Sequence, residues 1–245
     1  MKLTFLGTRG QIDARTRRHR MHTAAEVSYR GRRVMVDAGE DWLGRLDDVR
    51  PRALVLTHAH PDHAWGLKKG APAPVWATAE TWDAIGDYPI PDGRRHLVQP
   101  RTPFTPVEGI TLEAFPVEHS IRSPAVGYRI TAGRVTVFYV PDLVYIPERA
   151  EALGGCAAYI GDGATMKQSF VRKAGDHLVG HAPVFTQLGW CQEEGVPRAI
   201  ITHCGSEIVE GDERTLLARL REWARERGDV EAEFAHDGMV VVLRG

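Results

Sequence analysis

The sequence predicts a single α/β domain, spanning residues 1–245, with strand-rich halves and helices outside the strands. Short runs of β-branched and aromatic residues recur along the chain, and each run is closed by Gly, Pro or Asp. Helical periodicity lies between and after these runs. A chain of 245 residues, 43% hydrophobic and 26% charged, can also bury a sizeable core. No internal repeat divides it.

The predicted strands begin at the N-terminus. In the first half they are LTFLG (3–7), AEVSYR (25–30), RRVMVDAG (32–39), RALVLTH (52–58) and PVWAT (74–78). After a Pro-rich connection at 99–109 they are TLEAFPVEH (111–119), AVGYRI (125–130) and RVTVFYVPD (134–142). The chain is expected to end in a hairpin over 232–245, with Asp237-Gly238 as its turn.

Two helices have clear sequence signals. One is predicted from Asp212 to Arg227, because Leu216, Leu220 and Trp223 repeat on one face and Gly228 follows as a stop. The other is predicted over 183–194, where Pro opens the helix and apolar residues recur on one stripe.

Composition excludes some classes of function. The net charge of −1 argues against a general polyanion-binding surface, so extended nucleic acid is not favoured as a partner. No apolar run approaches the roughly 20 residues of a membrane span, and MKLTFLG is typical of a first strand rather than of a signal peptide. The three cysteines form no CxxC pair, which favours reduced thiols and a cytoplasmic location.

The segment LVLTHAHPDHAWG, residues 54–66, places His58, His60, Asp62 and His63 directly after a predicted buried strand. Such crowding of imidazole and carboxylate groups indicates a metal site. Three more candidates, each following its own apolar run, are His119, Asp142 and His203. Seven groups suffice for two divalent ions that share a carboxylate, with zinc or manganese as the expected metals. Two ions about 3.5–4 Å apart can hold a bridging hydroxide, which is hydrolytic chemistry.

On these residues the chain resembles the metallo-β-lactamase-fold hydrolases over essentially its whole length, since HAHPDH is similar to their HxHxDH signature. The resemblance implies an αββα four-layer sandwich. It assigns His58, His60 and His119 to the first ion, and Asp62, His63 and His203 to the second, with Asp142 as the bridge. Asp62 is also expected to take part in catalysis. Asp162, in IGDGAT, is an alternative bridge.

A second motif indicates a branch of this family. GHAPVFTQLGW, residues 180–190, resembles the Gly-His motif and helix of ribonuclease Z and of the phosphoribosyl cyclic phosphodiesterases. The resemblance implies that His181 donates a proton or hydrogen bond at a phosphate; the alternative is a histidine that only caps a helix. The short interval between His119 and Asp142 leaves no room for a tRNA-binding arm, which favours the smaller phosphodiesterases. VPD and IGDG also resemble the pyrroloquinoline-quinone biosynthesis B proteins.

The basic stretch RTRRHRMH, residues 15–22, is a candidate anion clamp. Arg15, Arg17, Arg18 and Arg20 could pair with phosphate oxygens, whereas the alternative is a solvated loop. His177 and His236 are further candidates for the rim of the site.

Together these features predict a dinuclear metal-dependent hydrolase, namely a phosphodiesterase acting on a small or nucleotide-like phosphate ester. The alternatives are hydrolysis of a carboxyl ester, lactone or thioester by the same metal pair, or an accessory protein similar to pyrroloquinoline-quinone biosynthesis B. The expected partner is a small-molecule phosphate ester and not a membrane; a homodimer is left open.

Overall fold

A computed structural model describes residues 1–228 and 230–244. Its strands are β1 (Lys2–Gly7), β2 (Ala24–Tyr29), β3 (Arg32–Val36), β4 (Ala53–Val55), β5 (Val75–Ala77), β6 (Arg95–Leu97), β7 (Phe104–Val107), β8 (Ile110–Val117), β9 (Ala125–Ala132), β10 (Val135–Tyr139), β11 (Ala158–Asp162), β12 (Arg172–Ala174), β13 (His177–Val179), β14 (Arg198–Thr202), β15 (Glu231–Phe234) and β16 (Val240–Val242). Its α-helices are α1 (Leu46–Val49), α2 (Pro61–Ala64), α3 (Ala79–Ala84), α4 (Arg149–Leu153), α5 (Val184–Glu193), α6 (Ser206–Glu210) and α7 (Glu213–Glu226).

The strands form two large sheets and a small hairpin. The first sheet has the order β16-β1-β2-β3-β4-β5-β6, and the second has the order β15-β14-β11-β10-β9-β8-β7. Strands β3 to β6 run parallel in the first sheet, as do β10, β11, β14 and β15 in the second. Strands β12 and β13 form a separate two-stranded sheet. The Pro-rich connection at 99–109 contains strand β7, which its composition did not indicate.

Alternating side chains show how the layers pack. In β3, Val34 and Val36 belong to the apolar cluster between the sheets, whereas Met35 belongs to a cluster on the outer face of the first sheet. In β10, Val137 faces the other sheet, whereas Phe138 packs in the cluster that contains α5 and α7. Both sheets are therefore buried on two faces. The layers are helices, sheet, sheet and helices, and the expected αββα sandwich is confirmed.

Local sequence signals were sufficient to predict helix α7, because each of them has a structural role. The Asp212 carboxylate accepts the backbone N–H of Thr215 at 2.8 Å and so caps the N-terminus. Leu216, Leu220 and Trp223 are buried against the second sheet. The chain then turns at Gly228, whose φ is 84°.

The C-terminal hairpin predicted from Asp237-Gly238 is wrong. Strand β15 pairs in parallel with β14 in the second sheet, while β16 pairs antiparallel with β1 in the first. The turn therefore carries the chain from one sheet to the other. The Asp237 carboxylate accepts the backbone N–H groups of Arg20 and Met21, both at 2.8 Å. These bonds to a remote segment, rather than a ladder between β15 and β16, hold the turn.

None of the helices in the described ranges combines the length and the apolar composition that crossing a membrane requires.

Candidate metal centre

The candidate ligands lie where strands of both sheets reach their carboxyl ends. His58 and His60 follow β4 of the first sheet, whereas His119, Asp142 and His203 follow β8, β10 and β14 of the second. Asp62 and His63 lie on α2, directly after the β4 loop. Because the two sheets pack face to face, residues from distant parts of the chain meet at one edge of the sandwich.

The candidate ligand atoms fall into three overlapping groups, and the atoms within each group lie within 4.8 Å of one another. The first comprises His58, His60, His119 and Asp142, the second comprises Asp62, His63, Asp142 and His203, and the third comprises Asp142, Asp162, His181 and His203. Asp142 belongs to all three, and the first two groups together contain the seven predicted ligands. Its Oδ2 lies 3.3 Å from His58 Nε2, 3.1 Å from His63 Nε2 and 3.4 Å from His119 Nε2. The predicted assignment of seven ligands, with Asp142 between two ions, is compatible with this geometry.

Two of the candidate donor atoms lack a hydrogen-bond partner, as expected for atoms that bind a metal. His63 Nε2 and Asp142 Oδ1 are buried without a hydrogen-bond partner, although each lies close to a group of opposite charge. A buried polar atom left unpaired costs about 1–3 kcal/mol, so such atoms need an explanation. Divalent cations held by imidazole and carboxylate groups would satisfy both atoms. The residues therefore fit the metals that the resemblance implies.

Oxygen atoms behind the histidines fix the orientation of the rings. His58 Nδ1 lies 3.0 Å from Thr57 Oγ1, His63 Nδ1 lies 2.9 Å from Asp37 Oδ2, and His119 Nδ1 lies 3.0 Å from the Gly180 carbonyl. The Nε2 atoms of these rings consequently face the centre.

His60 is oriented the other way. Its Nδ1 lies 2.9 Å from His58 Nε2 and 3.2 Å from His119 Nε2, so Nδ1 is the nitrogen it presents to the other ligands.

Burial and neighbouring charges prepare the ligands of the first group for a cation. Burial, together with the charge of His63, puts the pKa of His58 well below its ordinary value. Burial and the neighbouring His119 lower the pKa of His60 to about 4. Burial opposes ionisation of Asp142, but His203 and His119 hold its pKa well below the usual range. Neutral imidazoles and an ionised carboxylate are the forms that bind a metal.

In the second group, the pKa values of two imidazoles are raised rather than lowered. Burial lowers the pKa of His63, yet Asp62 and Asp37 raise it well above the ordinary value. Burial likewise lowers the pKa of His203, while Asp142 raises it. Protons on these rings balance the carboxylates, and a bound cation would take their place.

His181 lies beside the candidate ligands without belonging to the predicted set. Its ring centroid is 5.2 Å from that of His119, and its side chain is 24% exposed. Its Nδ1 donates to Asp162 Oδ2 at 2.8 Å. Burial lowers the pKa of His181, but the charge of Asp162 raises it above the ordinary value. Nε2 is therefore the ring nitrogen left for a substrate.

Asp162, the alternative bridge, occupies a different position from Asp142. Besides His181, its carboxylate accepts the backbone N–H groups of Ala164 at 2.8 Å and Leu143 at 3.3 Å. Asp162 Oδ1 lies 3.4 Å from His203 Nδ1. These contacts make Asp162 a support for two imidazoles.

Asp37 was missed by the sequence reasoning. It is fully buried, has a φ of 61°, and accepts the Thr57 backbone N–H at 2.8 Å as well as contacting His63. A signal was available, because Asp37 directly follows strand β3 in VMVDAG. The rule that selected Asp142 at a strand end also selects Asp37.

The four predicted substrate-binding arginines are not brought to the candidate ligands. Arg15 pairs with Asp41 at 3.0 Å and Arg18 pairs with Glu213 at 2.9 Å. Arg17 and Arg18 line a separate depression of about 240 Å³. Arg20 is exposed. Within residues 1–228 and 230–244 no contact supports the anion clamp, which therefore stays a prediction.

The two candidate rim histidines also lie elsewhere. His177 is on the β12–β13 hairpin, with a side chain that is 63% exposed and 3.7 Å from Glu118. His236 Nδ1 lies 3.2 Å from the Asp237 carbonyl. Neither lines the cavity that holds the candidate ligands.

This cavity has a volume of about 780 Å³, which is within the range of small-molecule sites. His60, Asp62, His119, Asp142 and His203 form its base, together with His181. The geometry is that of a metal-binding cavity, in which the partly exposed His181 lies beside the candidate ligands and is backed by the buried Asp162.

Residues 32–204 match the family described as the Beta-lactamase superfamily domain. No curated protein sequence matches the chain significantly. The fold is similar to that of Zn(2+)-bound PqqB from Methylobacterium extorquens, with a TM-score of 0.74 and 20% identity over 99% of this chain and 100% of that one. It is similar to a diphosphatase of the PhnP family, with a TM-score of 0.72 and 19% identity over 98% and 96% of the chains. It is also similar to the short form of human tRNase Z, with a TM-score of 0.65 and 17% identity over 100% of both chains.

Proposed function

The chain belongs to the β-lactamase superfamily, and on that basis we propose that it is a dinuclear metal-dependent phosphodiesterase acting on a small or nucleotide-like phosphate ester. The reaction adds water to phosphorus, breaks one P–O ester bond and releases an alcohol and a phosphate monoester. The observation that carries the proposal is the hydrogen-bonded Asp162–His181 pair beside the candidate metal ligands, in which Asp162 is buried and His181 is partly exposed to the cavity. An alkoxide leaving group requires a proton donor that is positioned beside it.

Two divalent ions are proposed, with zinc or manganese as the metals that suit imidazole and carboxylate ligands. His58, His60 and His119 would hold the first, and Asp62, His63 and His203 the second, with Asp142 shared between them. When bound, such ions act as Lewis acids toward phosphoryl oxygens and lower the pKa of water.

The residues of the chain supply orientation and a proton. Thr57, Asp37 and Gly180 hold three imidazoles in position. The Asp162 carboxylate favours the protonated form of His181. That ring would donate a proton to the leaving oxygen or a hydrogen bond to a phosphoryl oxygen.

Hydrolysis of a carboxyl ester, lactone or thioester is the second candidate. It is supported by the wall of the cavity, where no arginine or lysine of the described residues lies. A neutral substrate needs no such cation. An accessory role similar to that of pyrroloquinoline-quinone biosynthesis B proteins is less well supported, because a complete ligand set accompanies the acid–base pair.

We propose a cytoplasmic location, which is supported by the free, buried thiols of the three cysteines. The proposed partner is a small-molecule phosphate ester.

Replacing His181 tests the proposal. His181→Ala should retain the metals, while kcat for a phosphodiester with an alkyl leaving group falls by roughly 10²–10⁴-fold, the usual value of a positioned acid. The fall should be smaller for bis-p-nitrophenyl phosphate, because p-nitrophenolate barely needs a proton. Metal content and kcat are measured on the same preparation.

His177→Ala is the matched control, since this histidine is exposed on the hairpin and does not line the cavity. Near-normal turnover of both phosphodiesters by metal-loaded His181→Ala would contradict the assignment. A lactone or thioester hydrolysed faster than either phosphodiester would favour the second candidate.

A further inference from the structure

Away from the candidate ligands and His181, the described residues that line the cavity include no lysine or arginine. Apart from the ligands and His181, the one charged side chain of the described residues that lines it is Glu207. The Glu207 carboxylate accepts the backbone N–H of Met166 at 3.2 Å, which holds it on the cavity wall. A phosphate placed away from the metal ligands would therefore meet a carboxylate and no counter-charge.

Two cationic residues that neighbour cavity-lining residues in the sequence make their contacts outside the cavity. Lys167 Nζ lies 5.7 Å from the centre of the Phe185 ring, on helix α5. Arg9 is 1% exposed and binds Asp41 at 2.6 Å. Neither side chain is among the residues that line the cavity.

Part of the cavity lining is apolar. Ile12 and Pro61 contribute to it, and Phe170 adds a ring that is 46% exposed. An exposed aromatic ring in a concave site gains free energy when an apolar group covers it. Gln11 and Gln168 add uncharged hydrogen-bonding groups to the same cavity.

From these observations we infer that the substrate is a monoanionic phosphodiester in which one of the two esterified alcohols is an uncharged, partly apolar group, and that Phe170 and Glu207 determine this specificity. The inference rests on the proposed phosphodiesterase function. Phe170 packs against the apolar group, and Glu207 disfavours substrates with a second phosphate by like-charge repulsion.

Binding of three phosphinates to the metal-loaded protein tests the inference. In these probes both substituents are joined to phosphorus by P–C bonds, so they are not hydrolysed. One carries methyl and benzyl, the second two methyl groups, and the third methyl and 2-phosphonoethyl. Calorimetry should give the lowest Kd for the benzyl compound, about tenfold below that of dimethylphosphinate, and the highest Kd for the phosphonoethyl compound.

Two variants with matched controls assign the residues. Phe170→Ala should reduce the preference for benzyl over methyl, whereas Leu97→Ala, an exposed apolar residue on β6, should not. Glu207→Gln should reduce the discrimination against the phosphonoethyl compound. Glu210→Gln, on the same helix but outside the cavity lining, should not.

The outcomes separate this inference from the proposed function. Equal or tighter binding of the phosphonoethyl compound, or no preference for benzyl, would overturn the inference even if phosphodiesters are hydrolysed. Unchanged discrimination in Glu207→Gln would overturn the role of that residue. If the predicted binding order holds but bis-p-nitrophenyl phosphate is not hydrolysed, the preference of the cavity stands and the proposed function fails.

Discussion

Asp142 and Asp162 are both buried carboxylates at the ends of neighbouring parallel strands, but they contact different atoms. Asp142 Oδ2 lies within 3.4 Å of the Nε2 atoms of three candidate ligands. Asp162 accepts from His181 Nδ1 and from two backbone N–H groups. The first is placed to share two cations, and the second to orient an acid.

This difference predicts different losses on substitution. Asp162→Asn should keep its metals, because the Asp162 carboxylate that it replaces contacts His181 and backbone donors rather than serving as a predicted ligand. It should lower kcat for an alkyl phosphodiester by about 10–100-fold, since a neutral amide no longer favours protonated His181. Asp142→Asn should instead lose metal. Elemental analysis and kcat with alkyl and aryl leaving groups check both variants, and loss of a metal from Asp162→Asn would identify Asp162 as a ligand.

At the scale of elements, the segment between β1 and β2 forms one wall of the cavity. Gly10 approaches the His203 ring so closely that a Cβ there would lie 2.9 Å from it. Arg9 anchors the segment: its guanidinium pairs with Asp41 and donates to the carbonyls of Gly10, Ile12 and Arg20. A buried ion pair therefore holds the wall against the metal centre.

Removing this anchor should destabilise the protein. Arg9→Met is expected to lower the free energy of unfolding by about 3–5 kcal/mol, because Asp41 loses its most buried partner. Arg15→Met is the control: Arg15 also contacts Asp41, but its side chain is 52% exposed, so a loss below about 1 kcal/mol is expected. Urea unfolding measures both. Equal losses in the two variants would contradict the anchoring role.

Arg17 and Arg18 lie on the same segment, but the structure gives no reason to expect that they bind substrate. Replacing Arg17 and Arg18 together with Ala should leave KM for bis-p-nitrophenyl phosphate unchanged, because both line a depression outside the metal-binding cavity. Steady-state kinetics with this phosphodiester and a neutral lactone provide the measurement. A rise in KM for the phosphodiester alone would support the clamp that the charge pattern predicts.

At the scale of the whole molecule, the candidate ligands come from both sheets. The segment after β4 supplies four of them, and the ends of β8, β10 and β14 supply the other three. A cation bound to both sets would join the two sheets across their shared edge. Metal binding and folding are therefore expected to be coupled.

Removal of metal should lower the thermal stability. Chelation is expected to decrease Tm by about 5–10 °C, the change that corresponds to a cation present at roughly a hundred times its Kd. Adding zinc or manganese back should restore Tm. His60→Ala, which lacks a ligand, should respond less to the chelator. Differential scanning calorimetry provides the test, and an unchanged Tm would show that no cation joins the sheets.

Local features were sufficient to predict much of the fold. Helix α7 was predicted within a residue at each end, because its cap, apolar stripe and terminal glycine are all local signals. The strand and helix pattern, with the resemblance carried by HAHPDH, led to the αββα sandwich that the structure has. The last strand pair was mispredicted, because a turn signal does not specify which sheet each flanking strand joins.

The sequence by itself determined the family of this protein, through a set of imidazoles and carboxylates at strand ends that resembles the family signature. Those signals are local, since each ligand candidate lies directly after an apolar run. Only the tertiary structure decided that Asp37 and Asp162 support the histidines, that the arginines lie away from the cavity, and that Phe170 and Glu207 line it. These contacts join segments far apart in the chain, so they depend on how two sheets pack, which no local pattern specifies.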